Sequence, residues 1–336
     1  MAMKIVIRIP NWIGDVVLSL PALDSLKNNF PQAQIWLATV QRVMDLFSGD
    51  SRVNGLISLP DLTDLRTLKD STQRLKSYEF DIGLLLTNSF SSALLFYLAQ
   101  IPQRWGYQSD SRSLLLTKGV PLKDQADASH QVNYYLDLLS GLGLQTGPLE
   151  INLPLSSEQK EAARKKLLSF GLDLKKPLVI LNPGAYYGPA KRWPASKFAE
   201  LAALFQKRKA AEILMTGSAE DVSLCESVAS RLERRPATLA GQTTLQELLG
   251  IISLSSLFVT NDTGPMHMAN ALRIPVVALF GPTDPRLTGP IQQPSAVIKK
   301  DVPCWPCTYR ECPYDHRCMM RIEPEEVFLV SQIFLG

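Results

Sequence analysis

A short apolar run, Ser256-Leu257-Phe258-Val259-Thr260, passes directly into Asn261-Asp262-Thr263-Gly264 and then into the helix-compatible residues Met266, Ala269, Asn270 and Ala271. An unbroken apolar run of this length reads as a strand buried on both faces, as in a parallel sheet covered by helices. Pro265, near the first helical position, loses nothing by lacking an N–H. A strand that enters a helix so abruptly leaves backbone N–H groups at the carboxyl edge of the sheet, beside the positive end of the helix dipole. That arrangement suits a phosphate. A plain helix cap at Asp262 or Thr263 would explain the same residues without a ligand.

The alternation recurs along the chain. Lys4–Arg8 is a strand, 10–14 a turn, and Asp15 opens a helix over 16–29, in which Pro21 either kinks the helix or starts a second segment. Strands at 35–39, 55–59 and 80–86 follow, with helices near 43–47 and at 62–77 between them. An apolar helix over 93–99 then leads to 103–107. Turn formers at 146–154 break the pattern and read as a linker. Beyond it come helix 157–170, strand 178–181, helix Ala195–Lys209, strand 212–216, helices 221–231 and 244–252, the central strand and helix, Val276–Phe280 and a last helix at 323–335. Such alternation predicts an α/β protein of two doubly wound parallel-sheet domains, 1–155 and 156–336, with ligands at the carboxyl edges of the strands.

Composition agrees. A chain of 336 residues suits two domains, and 46% hydrophobic with 20% charged residues describes a soluble globular protein. The net charge of +3 is too small to argue for nucleic acid as a partner. No run of 18 apolar residues occurs, so no membrane-spanning helix is expected. Met1-Ala2-Met3-Lys4 runs straight into a strand without a signal peptide's apolar core, which makes a cytoplasmic location the expectation.

Four turns carry candidate chemistry. In Trp12-Ile13-Gly14-Asp15, Gly14 lets backbone approach a ligand, and the Asp15 carboxylate can take a proton from an attacking hydroxyl; a helix cap is the competing reading. Asn182-Pro183-Gly184-Ala185 follows a strand, and the adjacent Lys191 and Arg192 beside a glycine-containing turn suit an anion. Thr216-Gly217-Ser218 repeats the strand-to-small-residue turn. His267 lies one helical turn past Thr263. Gly281-Pro282-Thr283-Asp284-Pro285 ends the next strand and can wall a cleft. No Gly-x-Gly-x-x-Gly falls at a strand-to-helix turn, which disfavours a nicotinamide oxidoreductase; Gly141 and Gly143 follow a helix and read as its C-cap. No Walker lysine turn occurs, and no Asp-x-Asp follows a strand to hold Mg²⁺.

Cys304-x2-Cys307-x4-Cys312-x5-Cys318, with His316 inside it, stands apart from the rest. Four thiols with this start can hold zinc or an iron–sulfur cluster, form disulfides, or simply pack a loop in reduced form. Cys225 is isolated on a helix.

Taken together, residues 14–23, Asn182-Pro183-Gly184-Ala185 with Lys191-Arg192-Trp193-Pro194, Asn261-Asp262-Thr263-Gly264 with His267, and 281–285 closely resemble glycosyltransferase family 9, the ADP-heptose:lipopolysaccharide heptosyltransferases. Among its branches, 184–194 and the Cys/His-rich tail look most like the second heptosyltransferase. The chain departs from the pattern at Pro265-Met266. The resemblance implies a GT-B fold, two Rossmann-like domains facing a central cleft, with the last helix returning to the first domain. It implies inverting transfer of heptose from ADP-heptose to the first heptose of the lipopolysaccharide inner core, with no metal or other cofactor. Other acceptors (those of the first or third heptosyltransferase, or a protein) would use the same donor motifs.

The resemblance makes Asp15 the general base and places Asn11, Trp12, Gly14 and Arg104 on the acceptor. Gly184, Lys191, Thr216, Gly217, Asp262, Thr263, Gly264 and His267 fall on the donor, with Lys191 meeting its phosphates. Arg104, Arg112 and Lys118 can meet an anionic acceptor or be ordinary surface charge. The implied setting is a monomer acting on a lipid-linked core oligosaccharide at the cytoplasmic face of the inner membrane.

Overall fold

The computed structural model describes residues 2–61, 64–122 and 129–335. The chain divides into two units between Pro154 and Leu155. The first contains β1 (Lys4–Arg8), α1 (Ile13–Leu18), α2 (Leu20–Asn29), β2 (Gln34–Thr39), α3 (Gln41–Met44), β3 (Gly55–Ser58), α4 (Leu65–Lys76), β4 (Ile82–Leu85), α5 (Phe90–Leu98), β5 (Gln103–Gln108), β6 (Lys118–Pro121) and α6 (Gln131–Gly141). The second opens with α7 (Ser157–Ser169), β7 (Leu178–Asn182), α8 (Ala195–Lys209), β8 (Glu212–Met215), α9 (Val222–Ala229), β9 (Ala237–Thr238) and α10 (Leu245–Ile252). It continues with β10 (Leu257–Asn261), α11 (Gly264–Ala271), β11 (Val276–Phe280), α12 (Pro285–Thr288), β12 (Ser295–Lys299), α13 (Arg317–Met320) and α14 (Pro324–Leu335).

Each unit builds one parallel six-stranded sheet. The strand orders are β3-β2-β1-β4-β5-β6 and β12-β11-β10-β7-β8-β9. Counted from its own first strand, each is the doubly wound order 3-2-1-4-5-6, whose direction reverses between the first and fourth strands. That reversal lies between β1 and β4 in one unit and between β7 and β10 in the other. Loops on either side of it splay apart and leave a crevice at the carboxyl edge. Every residue of β7, β10 and β11 is buried, because helices cover both faces of the sheet.

Local chemistry sets most boundaries. Ser156 with Gln159 and Thr244 with Glu247 form capping boxes that start α7 and α10. Asp64 with Thr67 does the same for α4; the expected start of that helix at Leu62 lies outside the described residues. Pro21 begins a second helix rather than kinking one. It cannot donate to the preceding turn, so α1 closes on Ser19, whose N–H bonds the Asp15 and Val16 carbonyls at 3.0 and 3.1 Å. Gly143, at φ 78°, ends α6 in the left-handed region, as its place after a helix suggested.

The residue pattern sets no bounds for α6 and does not mark β6, β9, β12 or the short helices α12 and α13. The linker residues 146–154 are irregular but bound to the first unit. The Gly147 N–H donates to Ser25 Oγ at 2.9 Å, and Ile151 and Leu153 are buried.

The buried side of α14 belongs to the second unit. Val327 and Phe328 enter its core, with the Phe328 ring 5.3 Å from that of Phe205 on α8. Phe328→Ala should therefore lower the unfolding free energy by about 3–5 kcal/mol, read by denaturant titration. A change below about 1 kcal/mol would mean that α14 is peripheral to this core.

Candidate functional site

At the reversal point of the second unit, Asn261 is fully buried at the end of β10. Its amide donates to the carbonyls of Pro183 and Gly184 at 2.8 and 3.3 Å, and its side-chain oxygen accepts the Trp193 N–H at 3.0 Å. One side chain thus ties the loop after β7, the loop before α8 and the start of the β10–α11 turn. Beneath it runs a buried polar row: Thr216 Oγ1 donates to Asn182 Oδ1, and Asn182 Nδ2 to Thr260 Oγ1, each at 3.3 Å. Thr216 therefore supports the edge from below, with its hydroxyl already engaged.

The functional groups sit on this frame. Thr263 holds the N-cap position of α11 in extended backbone, without a side-chain cap bond, and Gly264 and Pro265 open the helix. Lys191 Nζ bonds Asp262 Oδ2 at 2.5 Å, and Thr283 Oγ1 donates to the same oxygen at 2.6 Å. Lys191 and Asp262 are both largely buried, so this ion pair is shielded from water. Asp262 is thus the anchor of a cation rather than a helix cap. His267 is buried one turn into α11.

Of the adjacent cations, only Lys191 reaches this point. Arg192 turns to Asp221, 3.4 Å away. Asp221 is buried and also accepts from Ser218 N and Oγ at 3.0 and 2.7 Å. A Cβ at Gly184 would overlap this carboxylate, and one at Gly217 would crowd its Cβ. Both glycines are therefore required by the packing of Asp221, whatever else they touch.

The cysteine-rich segment has a role that its spacing did not reveal. All five cysteines are free thiols, so the disulfide option falls away. Among the described residues no group of three or more His, Cys, Asp or Glu side chains is placed to hold a metal. Burial first, and then the neighbouring thiols, push Cys318 up to about 11.

What the segment does is grip the loops that converge on Asp262. Thr308 O accepts the Tyr187 hydroxyl at 2.6 Å, Arg310 O accepts Ala190 N at 3.0 Å, and His316 Nε2 lies 2.7 Å from Ala190 O. A Cβ at Gly188 would overlap the Arg310 carbonyl. On the other side, Cys307 N donates to Pro282 O at 3.0 Å and Trp305 Nε1 to Thr283 O at 3.1 Å.

The first unit shows a comparable edge. Asp15 lies in the first turn of α1, half-buried, and the N-cap position belongs to Trp12. Asp15 is therefore not the N-cap residue itself but the acidic residue of the first turn. Beside it stands Tyr135 of α6, whose phenol is held neutral well above its ordinary range by burial first and by the Asp15 charge second.

Arg8, which sequence reasoning missed, fixes the loop carrying Asn11 and Trp12. Its guanidinium donates to Ile9 O, Ala38 O and Asn11 Oδ1 at 2.6, 3.2 and 2.8 Å, and burial lowers it to about 10. An arginine ending an otherwise buried strand was the signal that could have found it. Arg42 adds a bond to Asn11 O at 3.2 Å and lies over the Trp12 ring.

Arg104 does not join this group. It is near the amino end of β5, its fork spent on the carbonyls of Leu115 and Ile101 at 2.7 and 2.6 Å. Arg112 is fully buried on the carbonyls of Tyr107 and Thr87, and Lys118 is bound to Leu142 O. Arg104 and Arg112 are therefore not open surface cations, whereas Lys118 is exposed and remains ordinary surface charge with its ammonium on Leu142 O.

A cavity of about 340 Å³ in the second unit, lined by Leu172, Glu212, Ile213, Arg234 and Pro236, opens at the amino edge of the sheet. Its Arg234 is already paired with Glu212, so the chemistry stays with the carboxyl edge.

Gly184→Ala should cost about 1–3 kcal/mol of stability in the native chain and clearly less in an Asp221→Ala background, as measured by unfolding of the four variants. Equal costs in both backgrounds would separate Gly184 from Asp221.

Comparison with known proteins places this architecture. Residues 69–317 match the model for glycosyltransferase family 9 (heptosyltransferase). The chain is 32% identical over 311 residues to lipopolysaccharide heptosyltransferase 2 of Salmonella typhimurium, covering 88% of each. It is 30% identical to lipooligosaccharide heptosyltransferase 2 of Campylobacter jejuni, covering 97% of each. The structure of E. coli ADP-heptose lps heptosyltransferase II superposes with a TM-score of 0.86 at 28% identity, covering 99% of this chain and 98% of that one. The two Rossmann-like units are accordingly of the GT-B kind, and the chain belongs to glycosyltransferase family 9, the heptosyltransferases.

Proposed function

We propose that this enzyme transfers L-glycero-D-manno-heptose from ADP-heptose to the first heptose of the lipopolysaccharide inner core, with inversion at the anomeric carbon. The observation that carries the donor half is the Lys191–Asp262 pair beside the start of α11. A cation and the positive end of a helix meet where an open α/β sheet takes its ligand. The core acceptor rests on the similarity to the heptosyltransferase 2 proteins.

In this reading Asp15 accepts the proton of the acceptor hydroxyl while its oxygen bonds to C1 of the heptose. The bond from C1 to the diphosphate breaks on the opposite face, and ADP leaves with the electron pair. Negative charge grows on the departing oxygen, and Lys191 with the Thr263 and Gly264 amides stabilises it in place. A fixed cation and fixed dipoles need no reorganisation as the charge develops, which removes the usual reason for a divalent metal. We place Gly184, Gly217, Asp262 and His267 around the donor and Asn11, Trp12 and Gly14 near the acceptor.

No helix in the described residues is long and apolar enough to cross a membrane. We further propose that the enzyme acts as a monomer at the cytoplasmic face of the inner membrane, where it meets a lipid-linked core oligosaccharide.

Mass analysis of truncated lipopolysaccharide cores incubated with ADP-heptose tests the assignment: one added heptose is expected, and none would reject it. Asp15→Ala should reduce turnover by about 10²–10⁴-fold while ADP binding is kept. Lys191→Ala should raise the donor KM, and transfer should persist in excess EDTA.

A further inference from the structure

The Tyr187 ring carries two cations. Lys191 Nζ lies 4.9 Å from its centroid and the Arg310 guanidinium 5.3 Å. Lys191 is held by Asp262, but Arg310 is exposed and makes no ion pair among the described residues. Its own backbone is not free to wander: the Arg310 carbonyl accepts Ala190 N at 3.0 Å and abuts Gly188, three residues before Lys191. The guanidinium is therefore delivered to the Lys191 loop by a fixed main chain and steadied by an aromatic face. Its planar set of donors is left for something outside the protein.

We propose that Arg310 is a second ligand for the donor's diphosphate. A diphosphate presents two anionic groups, and a single partly neutralised ammonium serves one of them. Lys191 shares its charge with a resident carboxylate, whereas Arg310 brings a full charge and a fork that matches two phosphate oxygens. Stacking on Tyr187 reduces the rotamer freedom that an exposed arginine would otherwise lose on binding. The aromatic platform and the main-chain bonds also explain why the cysteine-rich segment is fastened to this loop in particular.

The inference rests on the donor reading given above, and the test keeps the two apart. Calorimetric titration of the full chain with ADP, AMP and adenosine measures the phosphate contribution without turnover. Arg310→Ala should weaken ADP about tenfold, leave adenosine unchanged and raise the donor KM with little change in kcat. Arg310→Lys should recover part of the loss.

An Arg310→Ala variant with unaltered ADP affinity and donor KM would overturn the role. So would equal weakening of ADP and adenosine, which would mark a structural effect on the pocket. Failure of the native chain to bind ADP or use ADP-heptose would instead reject the donor reading itself.

Discussion

The carboxyl edge of the second unit depends on one buried amide. Asn261 satisfies two carbonyls and one N–H from the two ends of the β7–α8 loop, all at the end of a strand whose neighbours are fully buried. Inside a low-dielectric edge, a lost partner leaves a backbone group without a hydrogen bond, so these three bonds hold together as a set. They fix where the chain leaves β7, where it enters α8 and where α11 begins. Lys191, Asp262 and the free helix start are positioned as consequences.

The first unit reaches the same end by different means. There the loop after β1 is held by a charge, with the Arg8 guanidinium spread over two carbonyls and the Asn11 side chain. Burying an arginine without a carboxylate in direct contact is costly, and burial does lower its affinity for the proton. Its two terminal nitrogens are hydrogen-bonded while the buried Nε finds no partner among the described residues, and the loop those nitrogens hold leads into Asp15. One unit fixes its edge with a neutral amide and the other with a buried cation.

Much of this was legible in the residues. Unbroken apolar runs marked β10 and β11, and turn residues after them marked the edge where ligands bind. The bounds of α8 and β11 coincide with the periodic segments themselves. Three things were not legible. β6, β9 and β12 are outer strands that are very short or mix apolar with charged or turn residues, so their pattern is weak. Arg104 is a cation of the right kind, but its place at the amino end of β5 only becomes meaningful once strand direction is known. The segment 304–318 is tied to the Lys191 loop by bonds to residues more than a hundred positions earlier, which no local spacing encodes.

The resting Lys191–Asp262 pair also bears on selectivity. An incoming anion meets an ammonium that a carboxylate has already claimed, with Thr283 holding that carboxylate in place. A lone sulfate or phosphate offers little more than Asp262 does, and so gains little by intruding. A longer polyanion that also engages the opening amides of α11 gains from several contacts at once. On the proposed donor reading the site thus contains its own competitor, a threshold that would favour a nucleotide diphosphate over the simple salts around it.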